Sequence, residues 1–167
     1  MSALLRRTAG VALCAACLAL AACGFQLRGS SNLPFKSLFV STAANSQLGN
    51  ELKRNIRAGT STALIDDPKL AEARFDVLGE SREKEILSLN SAGRVREYVL
   101  RYKVSFRVLD SKGRALIPTN EIVLKRDISF NESAILANES EENLLYRDMQ
   151  TDLVRQVLRR MAAVRIP

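Results

Sequence analysis

The sequence predicts an α+β domain, a two-layer sandwich in which two helices pack on one face of a four-stranded, largely antiparallel sheet in the order β-α-β-β-β-α. Three observations predict it. Tyr98, Leu100, Tyr102, Val104, Phe106 and Val108 occupy every second position, while Glu97, Arg101, Lys103, Ser105 and Arg107 fill most of the others. Period two over that length means a long strand with one face in a core and one face wet. Two further segments place apolar residues four apart, Leu48-Leu52-Ile56 and Leu145-Met149-Leu153-Val157-Met161, as one face of a helix requires. Asn90-Ser-Ala-Gly93 and Asp110-Ser-Lys-Gly113 are turn signals that join neighbouring strands as hairpins. Two amphipathic helices suffice to cover one face of such a sheet.

The elements follow in chain order. Residues 23–36 read as an extended leader, punctuated by Gly24, Gly29, Ser30, Ser31, Asn32 and Pro34, and residues 37–167 as a single domain. Ser37 to Thr42 is a short strand. Asn45 or Ser46 can cap a helix running to about Ala58, with Gly59 as its C-terminal stop and Lys53, Arg54 and Arg57 on its other face. A second strand begins at Phe75 and continues raggedly through Ile86 and Leu89. The long alternating strand is third. Ile122, Leu124, Ile128 and Phe130 alternate in a fourth. Asn138 or Ser140 can cap the final helix, whose last turns carry Arg155, Arg159 and Arg160, where the helix dipole favours cations. The uncovered sheet face is expected to carry Arg101, Lys103 and Arg107.

Ahead of the domain stands a processing signal. Arg6 and Arg7 form a positive n-region, and the apolar run Ala9 to Leu20 is about a dozen residues long, too short to span a bilayer. Leu20-Ala21-Ala22-Cys23 then resembles the lipobox of bacterial lipoproteins, in which a thioether joins the cysteine sulfur to a diacylglycerol. Residues 1–22 are therefore expected to be removed, leaving Cys23 as the acylated N-terminus. Cys14 and Cys17 leave with the signal and acylation consumes Cys23, so no disulfide is expected in the mature chain. Each buried lipid methylene adds about 0.8 kcal/mol of membrane affinity, so a multiply acylated cysteine, with palmitate-type chains, is a lasting anchor. Gly24 follows where an Asp would resemble an inner-membrane retention signal, which points to the outer membrane.

Lys and Arg number 25 against 18 Asp and Glu. Without Arg6 and Arg7 the balance is 23 against 18, a net charge of +5 for the mature part. Most of these cations are Arg, whose planar fork suits phosphate better than the point charge of Lys. Outside the cytoplasm a nucleic-acid partner is not expected, and phosphorylated lipid headgroups fit better. The chain has no His, which removes the commonest general base and metal ligand. No Gly-rich phosphate loop follows a strand. Asp66-Asp67 precedes a proline as a loop feature, and Glu139, Glu141 and Glu142 suit a helix start. No catalytic residue, metal site or cofactor is expected. The candidate binding residues are Arg94 and Arg96 beside the hairpin turn, with Arg82 and Lys84 on the preceding strand. As a solvated strand end they need no further role; as a phosphate-binding tip they would contact a headgroup.

The opening Cys23-Gly-Phe-Gln-Leu-Arg-Gly29 resembles the start of the mature LptE lipoproteins of lipopolysaccharide assembly. The resemblance extends along the chain through the element order, the hairpin leading into Arg96-Glu-Tyr98 and the Arg-bearing last helix. It implies a lipoprotein that plugs the lumen of the β-barrel protein LptD, supports that barrel's assembly, binds lipopolysaccharide and assists its delivery to the outer leaflet. It also implies an outer-membrane location, with the domain in the periplasm and barrel lumen. In the family, basic residues near the hairpin between the second and third strands and just before the last helix are associated with lipopolysaccharide. Arg94 and Arg96 match the first place; Ala137-Asn138-Glu139, nearest the second, carries no cation. The alternative from another class is a scaffold lipoprotein of barrel insertion or secretin assembly that binds no lipopolysaccharide.

Overall fold

The computed structural model describes residues 32–165. The processing signal and Cys23 lie outside the described residues. β1 spans Ser37–Ser41, α1 Gln47–Gly59, β2 Ala63–Leu64, β3 Ala73–Leu89, β4 Val95–Asp110 and β5 Ala115–Ser129; a 3-10 turn at Glu132–Ala134 leads into α2, Ile135–Ala162. The sheet has five strands rather than four, in the order β2-β1-β3-β4-β5. The added strand, β2, runs parallel to β1, as β1 does to β3, whereas the β3–β4 and β4–β5 pairs are antiparallel.

The alternation of β4 sets the layers. Leu100, Tyr102, Val104, Phe106 and Val108 are fully buried on one face, while Arg101, Lys103, Ser105 and Arg107 are only half-buried on the other. Against the apolar face pack Leu48, Leu52 and Ile56 of α1 and Met149, Leu153, Val157 and Met161 of α2. Phe75 and Phe106 stack at its centre with ring centroids 5.3 Å apart. Burying each such aliphatic or aromatic side chain stabilises the domain by about 1.5–3 kcal/mol before entropy is charged against it. Packing begins ahead of β1: Leu33 and Phe35, within the stretch read as leader, are buried in the same core, and Thr62 donates its hydroxyl hydrogen bond to the Phe35 carbonyl at 2.9 Å.

The helix ends differ in part from expectation. Ser46 caps α1, accepting the Gly49 N–H at 2.9 Å. The stop is made by Thr60, whose N–H and hydroxyl both reach the Ile56 carbonyl; Gly59 closes the helix without a left-handed turn. α2 begins at Ile135, before either Asn138 or Ser140. Asn131 supplies the cap one short turn earlier, accepting the Ser133 N–H at 3.0 Å. Asn138 instead donates to the Asn131 carbonyl at 2.7 Å, tying the first turn of α2 to that cap.

Candidate phosphate-binding hairpin

β3 extends past the end of β1. β1 pairs only as far as Ser41↔Asp76, whereas β3 and β4 continue together to Leu89↔Val95. The turn that joins them is built by Asn90, whose side-chain oxygen accepts the N–H groups of Ala92 at 2.9 Å and Arg94 at 3.0 Å. Gly93 closes it at φ 74°, in the left-handed region that a Cβ disfavours. Asp110 and Gly113 repeat the same chemistry between β4 and β5.

The ladder is irregular near the tip, and the irregularity falls on the candidate residues. Ile86↔Tyr98 is followed by Ser88↔Glu97, so Leu87 is the extra residue on β3; Ser88↔Glu97 is followed by Leu89↔Val95, so Arg96 is the extra residue on β4. Two bulges in opposite strands thus take Leu87 and Arg96 out of the regular pairing, and bulges commonly re-aim a side chain in this way. Simple alternation therefore does not carry from Arg94 to Arg96, and a shared sheet face does not follow from their spacing.

Each cation near the hairpin has a different fate. Arg82 stays exposed but turns toward α2, donating to the Gln150 side-chain oxygen at 2.9 Å and lying over the rings of Tyr102 and Tyr146. Tyr102 there donates a short 2.5 Å hydrogen bond to Glu80, and burial, with that carboxylate beside it, pushes the phenol well above its usual range. Gln150 in turn donates to Glu51 of α1, closing a polar chain from sheet to both helices. Lys84 pairs with Glu142 of α2 at 2.6 Å and sits over the Tyr98 ring. Arg94 reaches Glu132 at 3.1 Å, but that pair is open to water, with side chains 62% and 53% exposed. Such exposed pairs contribute about 0–1 kcal/mol, so Arg94 can exchange its partner for a stronger anion. Arg96 is exposed and makes no ion pair among the described residues. Its backbone carbonyl is held by the Phe130 N–H at 2.8 Å.

On the uncovered sheet face, Arg101 pairs with Glu85, Lys103 with Glu83 and Arg107 with Asp76 at 2.8, 2.8 and 3.0 Å. The Lys103 hydrogen bond holds the Glu83 carboxyl below its usual range. Arg101 and Lys103 thus each have a carboxylate of their own, while Arg107 shares Asp76 with Arg74. Arg94 also lines a shallow polar hollow with Asn90, Phe130, Asn131 and Glu132. The segment just before the last helix is therefore Phe130–Ala134, with an acid and no cation, and its acid serves the hairpin arginine. The sequence does not single out Asn131 and Glu132, because Asn138 and Ser140 are equally good capping types a few residues on. Among the described residues no group of three His, Cys, Asp or Glu is placed to hold a metal, and no helix is long and apolar enough to cross a membrane.

The same fold is found in solved lipoproteins. Lipoprotein B from Nitrosomonas europaea superposes with a TM-score of 0.74 at 40% identity, covering 84% of this chain and 91% of that one. Rare lipoprotein B from Shewanella oneidensis gives a TM-score of 0.68 at 25% identity over 76% of this chain and 94% of that one. A small α+β envelope lipoprotein is thus the class. The LptE family, described as lipopolysaccharide-assembly, matches residues 35–161, and the chain belongs to it. The LPS-assembly lipoprotein LptE of Yersinia enterocolitica is 27% identical over 158 residues, which cover 89% of this chain and 72% of that protein. The family's role is in assembly, not in an enzymatic reaction.

Proposed function

We propose that this lipoprotein is anchored in the outer membrane through acylated Cys23 and acts in the lumen of the LptD β-barrel. There it supports assembly of the barrel, binds lipopolysaccharide through Arg94 and Arg96, and assists its delivery to the outer leaflet. Residues 1–22 serve as the signal and 37–167 as the working domain, with the last part of the 23–36 leader packed onto it. The observation that carries the ligand reading is the state of the cations at the hairpin. Arg82 and Lys84 are committed to Gln150 and Glu142, whereas Arg96, at a bulge, makes no ion pair among the described residues and Arg94 shares only an exposed carboxylate. A phosphate placed between two guanidinium groups gains charge-assisted hydrogen bonds worth about 1.5–3 kcal/mol each.

The double variant Arg94→Ala, Arg96→Ala should bind lipopolysaccharide at least about tenfold more weakly, the equivalent of a single well-formed contact. It should keep its melting temperature, since neither side chain enters the core, and should still co-purify with a large barrel protein from detergent extract. Unchanged affinity would return both arginines to the role of a solvated strand end.

A further inference from the structure

Exposed large apolar side chains are not spread evenly over the described residues. Of nine, five gather at the hairpin end of the molecule: Ile86, Leu87 and Leu89 on β3, and Ile135 and Leu136 at the start of α2. The two segments adjoin. Ile86 pairs across the ladder with Tyr98, whose ring meets Phe130 edge-on at 5.4 Å, and Phe130 leads through Asn131 and Glu132 into α2. Arg94, beside Leu89, reaches Glu132.

Ile86 and Ile135 belong by position to the inside of the sandwich. Ile86 continues the β3 row of Arg82 and Lys84, which turn toward α2 at Gln150 and Glu142. Ile135 lies on the helical stripe of Glu142, Tyr146, Met149 and Leu153, seven, eleven, fourteen and eighteen residues further on. Yet Ile86 is 58% and Ile135 56% exposed, against 7% for Tyr146 and none for Met149. The two layers are packed from Tyr146 onward and open at the hairpin end. Single exposed aliphatics are ordinary; two at the open end of a sandwich, with three more on the same strand end and first helical turn and with an exposed arginine that makes no ion pair among the described residues, are not.

We infer that this open end receives fatty acyl chains of a phosphorylated lipid, with Ile86, Leu87, Leu89 and Ile135 against the hydrocarbon and Arg94 and Arg96 against the phosphate. This rests on the phosphate-binding reading above and adds that the ligand is recognised by its tails as well as its charge. Charge decides for a lipid over an apolar protein surface: the apolar group shares its strand end with Arg96, which has no ion-pair partner among the described residues and which an uncharged partner would leave desolvated and unpaired. Bulges at Leu87 and Arg96 place one residue of each kind outside the ladder within the same short stretch.

The test compares intact lipopolysaccharide with the same molecule deacylated by alkali, its phosphates retained, on the full processed lipoprotein held in amphipol. The wild type should bind the intact form at least tenfold more tightly than the deacylated form. A triple variant, Leu87→Thr, Leu89→Thr and Ile135→Gln, keeps strand and helix propensity while removing three of the four apolar side chains assigned to the acyl chains. It should lose most of that advantage and bind the deacylated form as the wild type does. Equal wild-type affinity for both forms, or equal weakening of both in the triple variant, overturns the inference and leaves the arginine reading standing. A triple variant that binds intact lipopolysaccharide normally but loses its barrel partner, or loses self-association, also overturns it and makes the open end a protein interface. If Arg94→Ala, Arg96→Ala alters neither affinity, the phosphate reading falls with it.

Discussion

Gly49 lies in the first turn of α1 so close to Thr42 that a Cβ built there would be 2.4 Å from the Thr42 Oγ1 and 2.8 Å from its Cβ. Helix propensity alone favours Ala over Gly by about 1 kcal/mol, so an exposed helical glycine would gain stability from the change. Here the contact reverses the sign. Gly49→Ala should destabilise the domain by about 1–3 kcal/mol in urea melts, as overpacking does; a stabilised variant would show that the loop at Thr42 yields freely. Phe106 and Arg101, five positions apart on β4, test the layer assignment. Phe106 is fully buried against Phe75, and truncation to Ala should cost about 3–5 kcal/mol. Arg101 pairs with Glu85 on the half-wet face, and its truncation should cost no more than about 1 kcal/mol. Equal costs would mean a register wrong by one residue. Both burial assignments are legible in the sequence, because strict alternation fixes which residues share a face. The Gly49 contact is not, since it depends on where a loop residue seven positions earlier comes to rest.

Elements are legible where one period repeats for long enough. β4 alternates without a break from Leu100 to Val108, and the helical stripes run for about two turns in α1 and about four in α2. β2 has only two residues, too few to show any period, and exists because Ala63 and Leu64 lie in register with Ser37 and Leu38. β3 reads raggedly because its ladder shifts at Leu78 and Leu87, and each extra residue switches the face that alternation predicts. The start of α2 is not legible in the sequence, because capping chemistry is local and several residues offer it. Asn131→Ala should therefore destabilise the domain by about 1 kcal/mol, the usual loss for a helix cap. Ser140→Ala, in the body of the helix, should stay within about 0.5 kcal/mol. Thermal melts of the two variants decide between the positions, and the reverse ranking would restore the later start.

At the scale of the whole molecule, the basic excess of the chain says only that anions are welcome. Which anion-binding groups remain available is settled by partners remote in sequence: Glu142 for Lys84, 58 residues on, and Glu132 for Arg94, 38 residues on. Spacing along the chain cannot reveal such pairs, so the sequence could name the hairpin arginines without ranking them. Folding then leaves Arg96 at the end of a hairpin that outruns β1, far along the chain from the α1 cations Arg54 and Arg57. If lipopolysaccharide handling is a property of this tip, contact in the living envelope must be local to it. The direct measurement is site-specific photocrosslinking in cells, with the photoreactive residue placed at position 96 and, in a separate strain, at exposed Arg54 on α1. Adducts with lipopolysaccharide should form at position 96 and be absent or several-fold fewer at position 54. Equal yields at the two positions, or none at position 96 in a strain whose envelope is intact, would contradict the proposed role of the hairpin.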